Sequence, residues 1–212
     1  FKTVISCEKA KFNIVGKSGD DFSYLPYIEK NDAIVISQFT LKEVIRQTIF
    51  SIADNDNNKL MTGELFEIIE NELKVVSLDG HRISIRNIEL KNNYENKKVV
   101  VPGDHRDLHS FPTRRSSDLI YLTDNHIVFE FDTTTVVSRL IEGEYFRIDQ
   151  MLSSAYETKV IVNKKELLDC IDRATLLVKE GDKKPIIMNI TDGSMELKIN
   201  SFIGSMNEDI DI

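Results

Sequence analysis

The 212 residues predict an α+β fold built from tandem copies of one domain, each laying helices on one face of antiparallel sheets. Three observations carry this. An amphipathic helix followed by short strands and tight turns occurs twice along the chain. The tripeptide Glu72-Leu73-Lys74 returns as Glu196-Leu197-Lys198, and Ile45 aligns with Ile171, each about 125 residues on. A weaker trace agrees: KSGDDFSYLPYI resembles RLIEGEYFRIDQML, with Phe22 against Tyr145 at about the same distance. That period is the size of a domain and far exceeds the roughly 20–50 residues of solenoid units.

The elements follow in order. The opening FKTVISCEKAKFNIVG reads as strand interior from its first residue, Phe1. QFTLKEVIRQTIFSIADND reads as a helix. Thr40 and Glu43 make a capping-box pair, and Leu41, Val44, Ile45, Thr48, Ile49 and Ile52 recur on one face. ELFEIIENELKVVSLDGHRISI then reads as strand, turn, strand, turn, strand, with Glu70-Asn71 and Asp79-Gly80 at the turns. The order returns in IVNKKELLDCIDRATLLVKEGD, where Asn163 and Glu166 cap a helix with Leu167, Cys170, Ile171 and Ala174 on one face. IIMNITDGSMELKINSF follows as strand, turn, strand. The last residues, SMNEDIDI, stop without a turn or cap, so a fragment cut at both ends is expected.

Composition narrows the function. Hydrophobic residues make up 41% and charged residues 29%, ordinary for a globular domain, and no apolar run approaches the roughly 20 residues that cross a bilayer. Cys7 and Cys170 match no metal spacing and read as two reduced core thiols of a cytoplasmic protein. A net charge of −8 argues against a uniformly basic nucleic-acid coat while leaving room for a basic face on an acidic body. Two helices offer such cations: Lys42 and Arg46 on the first, Lys164, Lys165, Arg173 and Lys179 on or beside the second. A polar helix face is ordinarily solvated, and two repeated ones could also line a surface that meets phosphate.

No motif makes a good enzyme. SLDGHRIS offers Asp79 and His81 without a nucleophile nearby, and Asp-Gly is a favoured turn pair. A small hydrolase using Asp79 and His81 is the alternative function. DNDNNK places Asp54, Asp56 and Asn58 like calcium ligands, but Lys59 stands where a loop Gly is needed and Leu65 where a Glu is needed. There is no phosphate-binding glycine loop and no His/Cys cluster, and no cofactor is expected.

FTLKEVIRQTIFSIADND, LMTGELFEI, VVSLDGHRISI, KKVVVPG, LTDNHIVFEF and SRLIEGEYFRIDQML resemble, in this order and spacing, the bacterial DNA sliding clamp, the β subunit of DNA polymerase III. The resemblance implies the DNA clamp fold. It implies the end of one clamp domain in residues 1–30, a second in 31–150 and the start of a third in 151–212. It implies a non-catalytic, ring-shaped processivity factor, a homodimer when full length. Such a ring encircles double-stranded DNA without regard to base sequence, its helices lining the inner wall. Partners would be the polymerase III catalytic subunit, the clamp loader and other proteins with a clamp-binding motif, and no membrane. Lys42, Arg46, Lys164, Lys165 and Arg173 become the cations that face phosphate. A partner peptide, containing a Gln and ending in aliphatic and aromatic residues, would bind between the second and third domains. By matching position it would meet Met61, Leu78, Gly80, His81, Arg82, Ile83, Phe146, Gln150 and Met151. Phe146 stands where a Pro is usual, and Leu78 where a small polar residue is common.

One stretch departs from its surroundings. GDHRDLHSFPTRRSSDL, Gly103 to Leu119, has three Arg and no Lys in a chain that otherwise favours Lys. Pro112 in its middle and the lack of an apolar stripe make it a poor helix, where the resemblance implies the second domain's other inner helix. Written as codons it resembles, codon for codon, a common sequencing-library adapter. We read it as a translated joint between two parts of a gene, to be kept out of fold reasoning. A domain without that helix would leave apolar sheet uncovered. A long unbroken read of the source gene is expected to show helix-coding sequence in place of Gly103–Leu119. Finding the stretch intact in genomic DNA would overturn this reading.

Overall fold

A computed structural model describes residues 2–22, 28, 30, 32–54, 57–103, 117–152, 155–179 and 184–212, without the side chains of Ser117 and Asp118. It divides into two compact units, Phe1–Phe146 and Arg147–Ile212. Most of the anomalous stretch lies outside the described residues. Its last three residues, however, join strand β6 in backbone pairing, so the regular fold resumes earlier than the sequence suggests.

The first unit opens with a hairpin, β1 (Lys2–Cys7) and β2 (Ala10–Val15), whose residues are exposed along its length. Cys7 is therefore exposed and only Cys170 is buried, and both are free. The expectation of two core thiols fails because β1–β2 packs no layer against either face within the described residues. Phe22 is exposed too, unlike its aligned Tyr145, which is buried. β3 (Ile34–Ser37) runs directly into helix α1 (Gln38–Thr48).

Helix α1 starts two residues before Thr40. Ser37 ends β3 in an extended conformation, and its side chain accepts the Thr40 N–H at 3.1 Å, so Ser37 rather than Thr40 is the cap. Glu43 is thereby freed from capping and pairs with Arg46. The apolar stripe is as expected: Leu41, Val44, Ile45, Thr48, Ile49 and Ile52 are all buried. The helix also ends sooner than its periodicity suggests, tightening into a 3-10 turn over Ile49–Ser51.

Two long antiparallel strands receive it, β4 (Gly63–Leu78) and β5 (Ile83–Pro102). The turn expected at Glu70-Asn71 is instead a bulge within β4. Glu70 takes a positive φ of 53° and the register shifts on both sides of it. The added residue changes which parity faces inward. Phe66 and Ile68 before it, and Leu73 and Val75 after it, enter the same core under α1. Ser77 follows the second parity, and its buried hydroxyl donates to the Thr48 carbonyl at the end of α1. Thr48 Oγ1 itself donates to the Val44 carbonyl at 2.9 Å. β6 (Ser117–Leu122), β7 (His126–Phe131) and β8 (Thr134–Arg139) complete a four-stranded sheet in the order β3-β6-β7-β8, and Ile120, Leu122, Ile127, Phe129 and Phe131 join the same core.

The second unit contains a short helix α2 (Ile148–Met151), helix α3 (Lys164–Thr175), and the strands β9 (Ile187–Thr191), β10 (Ser194–Ser201) and β11 (Gly204–Asp211) in the order β11-β10-β9. Here the cap is as expected: Asn163 accepts from the N–H groups of Lys165 and Glu166. Cys170 packs on Met195, Leu197 and Ile210, with Leu167 and Ile171 at the margin. No described helix is long and apolar enough to cross a membrane.

Ser77→Ala deletes a buried hydrogen bond to the Thr48 carbonyl and is expected to lower unfolding stability by about 1 kcal/mol, read as a fall in the urea midpoint with an unchanged slope.

Candidate functional site

The β4–β5 connection is a surface turn held by several hydrogen bonds. Asp79 and Arg82 close it through Asp79 N–H to the Arg82 carbonyl at 3.3 Å. The central pair is therefore Gly80-His81 rather than Asp79-Gly80. Gly80 lies in the left-handed region at φ 84°, which glycine adopts without strain. Asp79 is used up by the turn. Its carboxylate accepts the N–H groups of His81 (3.0 Å) and Arg82 (3.2 Å) and the Arg82 Nε–H (2.9 Å). These bonds, the His81 N–H first, hold its carboxyl below the usual carboxylate range. That is the work of a turn cap, not of a base poised on His81.

Around the turn, Gly80, His81 and Arg82 are exposed, and Ile83 and Met61 are half-buried. Leu78 is fully buried and supports the turn from beneath. Met61 is tied to the segment after α1 by its carbonyl, which accepts the Ala53 N–H at 2.8 Å. Phe146 is half-buried and meets the Tyr145 ring edge-on at 5.6 Å. Tyr145 is buried, its hydroxyl within 3.4–3.5 Å of the Val76 and Gly63 carbonyls. Gly63 must be glycine, since a Cβ there would come within 2.7 Å of the Val101 carbonyl oxygen. Gln150 and Met151 belong to the second unit, exposed on α2.

The helix cations divide into two kinds. Lys164 and Lys165 are exposed in the first turn of α3, and Lys42 is half-buried on α1. Arg46 and Arg173 are each held by a carboxylate through two nitrogens. Arg46 pairs with Glu43 at 2.8 and 3.1 Å, and Arg173 pairs with Glu208 of β11. Each carboxyl is drawn below its usual range, chiefly by the arginine hydrogen bond. In the acidic loop after α1, Asn58 caps the next turn by accepting the Leu60 N–H, and the Asp56 expectation lies outside the described residues.

Residues 35–147 match the family described as DNA polymerase III beta subunit, central domain. The chain belongs to the DNA polymerase III beta subunit family. It is 33% identical to the beta sliding clamp of Staphylococcus aureus (strain Mu50 / ATCC 700699) over 214 aligned residues, covering 100% of this chain and 57% of that protein. The clamp of Staphylococcus epidermidis (strain RP62A) is 31% identical, with 56% of it covered. Among solved structures, a protein of Eubacterium rectale ATCC 33656 described as a DNA polymerase III beta subunit is 79% identical, with a TM-score of 0.91, over 100% of this chain and 58% of that one. The Bacillus subtilis sliding clamp is 31% identical with a TM-score of 0.88, over 99% and 56%. The fold is thus the DNA clamp fold, and the chain spans a little over half the length of the curated relatives it matches.

Two features of this clamp chain escape sequence reading. One is Phe50, whose ring centroid lies 5.8 Å from the Arg82 guanidinium carbon. The other is Glu64, which is only 4% exposed, with Oε1 meeting no hydrogen-bond partner. Burial pushes its carboxyl up to about 7, opposed by a hydrogen bond with Thr48. The same carboxyl and its own burial raise the Tyr145 hydroxyl above its usual range, burial being the larger cause. No sequence signal marks Glu64, which sits in an ordinary strand pattern beside Leu65 and Phe66.

The folded state holds the Glu64 proton more tightly than the unfolded chain does. Its stabilising effect is therefore complete below pH 4.5 and is lost as pH rises from 4.5 through about 7. The loss amounts to at most about 3 kcal/mol. Glu64→Gln is expected to flatten this decline, so that denaturant midpoints of parent and variant diverge between pH 5 and 8. Parallel pH profiles would refute the assignment.

Proposed function

We propose that this chain is part of a processivity factor: a ring-shaped sliding clamp that encircles duplex DNA and tethers the replicative polymerase and other partners. In this reading residues 1–30 end one clamp domain, 31–150 form a second, interrupted at 103–119 by a joint that replaces a helix, and 151–212 begin a third. The full-length subunit is a cytoplasmic homodimer without catalytic activity of its own. The single observation that carries the reading is the family match over residues 35–147, from within β3 to just past Phe146. The hydrolase alternative has no observation in its favour, since Asp79 is committed to its turn.

Partner proteins, including the polymerase III catalytic subunit and the clamp loader, dock through a short peptide on the surface at the β4–β5 turn. Met61, Gly80, His81, Arg82, Ile83 and Phe146 support this, being accessible or half-buried there. Leu78 serves by shaping the turn, and Gln150 and Met151 join the set by family position alone. A few apolar anchors with a polar rim suit such a peptide. Lys42, Arg46, Lys164, Lys165 and Arg173 meet the phosphates of DNA. Phosphate contacts carry no base sequence, so they suit a protein that slides.

Two measurements test this. Arg82→Ala and Met151→Ala in the full-length subunit are each expected to weaken binding of a labelled peptide that contains Gln and ends in Leu and Phe, by tenfold or more, with no substrate turned over by any form. For DNA, the ring should remain on circular duplex and run off linear duplex. Charge reversal at Lys42 and Lys164 should shorten its retention as salt rises. Equal retention on both DNA forms would reject the ring.

A further inference from the structure

Phe50 stands out on its own segment. Its neighbours Ile49, Ser51 and Ile52 are buried, while Phe50 is 57% exposed. It is not on a loose loop. Ser51 Oγ and Ser84 Oγ are hydrogen-bonded at 2.6 Å, which fixes the 3-10 turn to the start of β5 two residues past Arg82. The Ala53 N–H donates to the Met61 carbonyl at 2.8 Å, which fixes its exit to the Met61 segment. These two links set an exposed aromatic ring beside the β4–β5 turn.

The Arg82 guanidinium lies over that ring, 5.8 Å from its centroid, with its Nε–H on Asp79 at 2.9 Å. An exposed arginine is ordinarily free to sample many rotamers, and ordering it on binding costs affinity. Here a carboxylate fixes one edge and an aromatic face meets the cation. We propose that Phe50 is a positioning residue of the peptide-docking surface, holding the Arg82 guanidinium in its binding orientation before the peptide arrives. This rests on the docking reading above, and it adds to that surface a residue that lies outside the set taken from family position.

The test is peptide binding by fluorescence anisotropy in the full-length subunit, with the same labelled peptide. Phe50→Ala is expected to weaken binding about three- to fivefold, the scale of a cation–π contact at an exposed site. Phe50→Tyr should bind like the parent, and Phe50→Leu, similar in bulk but without the aromatic face, like Phe50→Ala. In an Arg82→Ala background, Phe50→Ala should cost nothing further. Thermal midpoints should stay together, because the ring is exposed. Full affinity in Phe50→Leu, or an undiminished cost of Phe50→Ala without Arg82, would overturn the proposal. So would Phe50→Ala without effect while Arg82→Ala weakens binding, which leaves the docking reading intact. Arg82→Ala without effect would sink both.

Discussion

The carbonyl of Thr48 is where the first unit is tied together. Thr48 is the last residue of α1 and the cap of the 3-10 turn that follows. Ser77, fifteen residues into β4, donates its hydroxyl to that carbonyl. The bond crosses the layer between helix and sheet at the point where the apolar stripe of α1 ends. It fixes both the height of α1 above β4 and the place where the chain turns away as a 3-10 turn. Everything downstream inherits that position: Ser51 reaches Ser84, Ala53 reaches Met61, and Phe50 is left facing the Arg82 side of the β4–β5 turn.

The bulge at Glu70 is the second half of the same constraint. A strand as long as β4 cannot keep one parity inward while bending around a core. Inserting a residue with positive φ exchanges parity, so that Phe66, Ile68, Leu73 and Val75 share one core and Ser77 points at Thr48. The same geometry turns Glu64 inward, on the parity of Phe66, against Thr48 and near Tyr145. Desolvation in that place raises the carboxyl to about 7. It is a cost tolerated in the layer under α1.

Charge is handled locally on a chain of net charge −8. The two helix arginines are matched to carboxylates, and Lys164 and Lys165 are left in solvent. Paired arginines exchange one anion for another when phosphate approaches, so the gain from each contact is small and salt-sensitive. Weak contacts of this kind agree with the sliding role proposed for the family's ring.

Sequence periodicity by itself determined the helices and their buried faces, because burial of a stripe depends only on spacing along one element. Leu41, Val44, Ile45, Cys170 and Ala174 lie where their spacing put them. The order of motifs also determined the family, and with it the residues of the turn. Local competition misled the reading where two partners were close in chain: Ser37 outran Thr40 for the cap, and Glu70-Asn71 formed a bulge because β5 pairs on both sides of it. Cys7 is exposed because β1–β2 meets no covering layer among the described residues, which spacing cannot reveal. Only the tertiary structure decided that Glu64 is buried beside Thr48, that Ser77 closes α1, and that Phe50 lies against Arg82. Each of these joins residues about 15 to 30 positions apart through a helix end resting on a bent strand. The energy of such contacts depends on distances in space that no local pattern encodes.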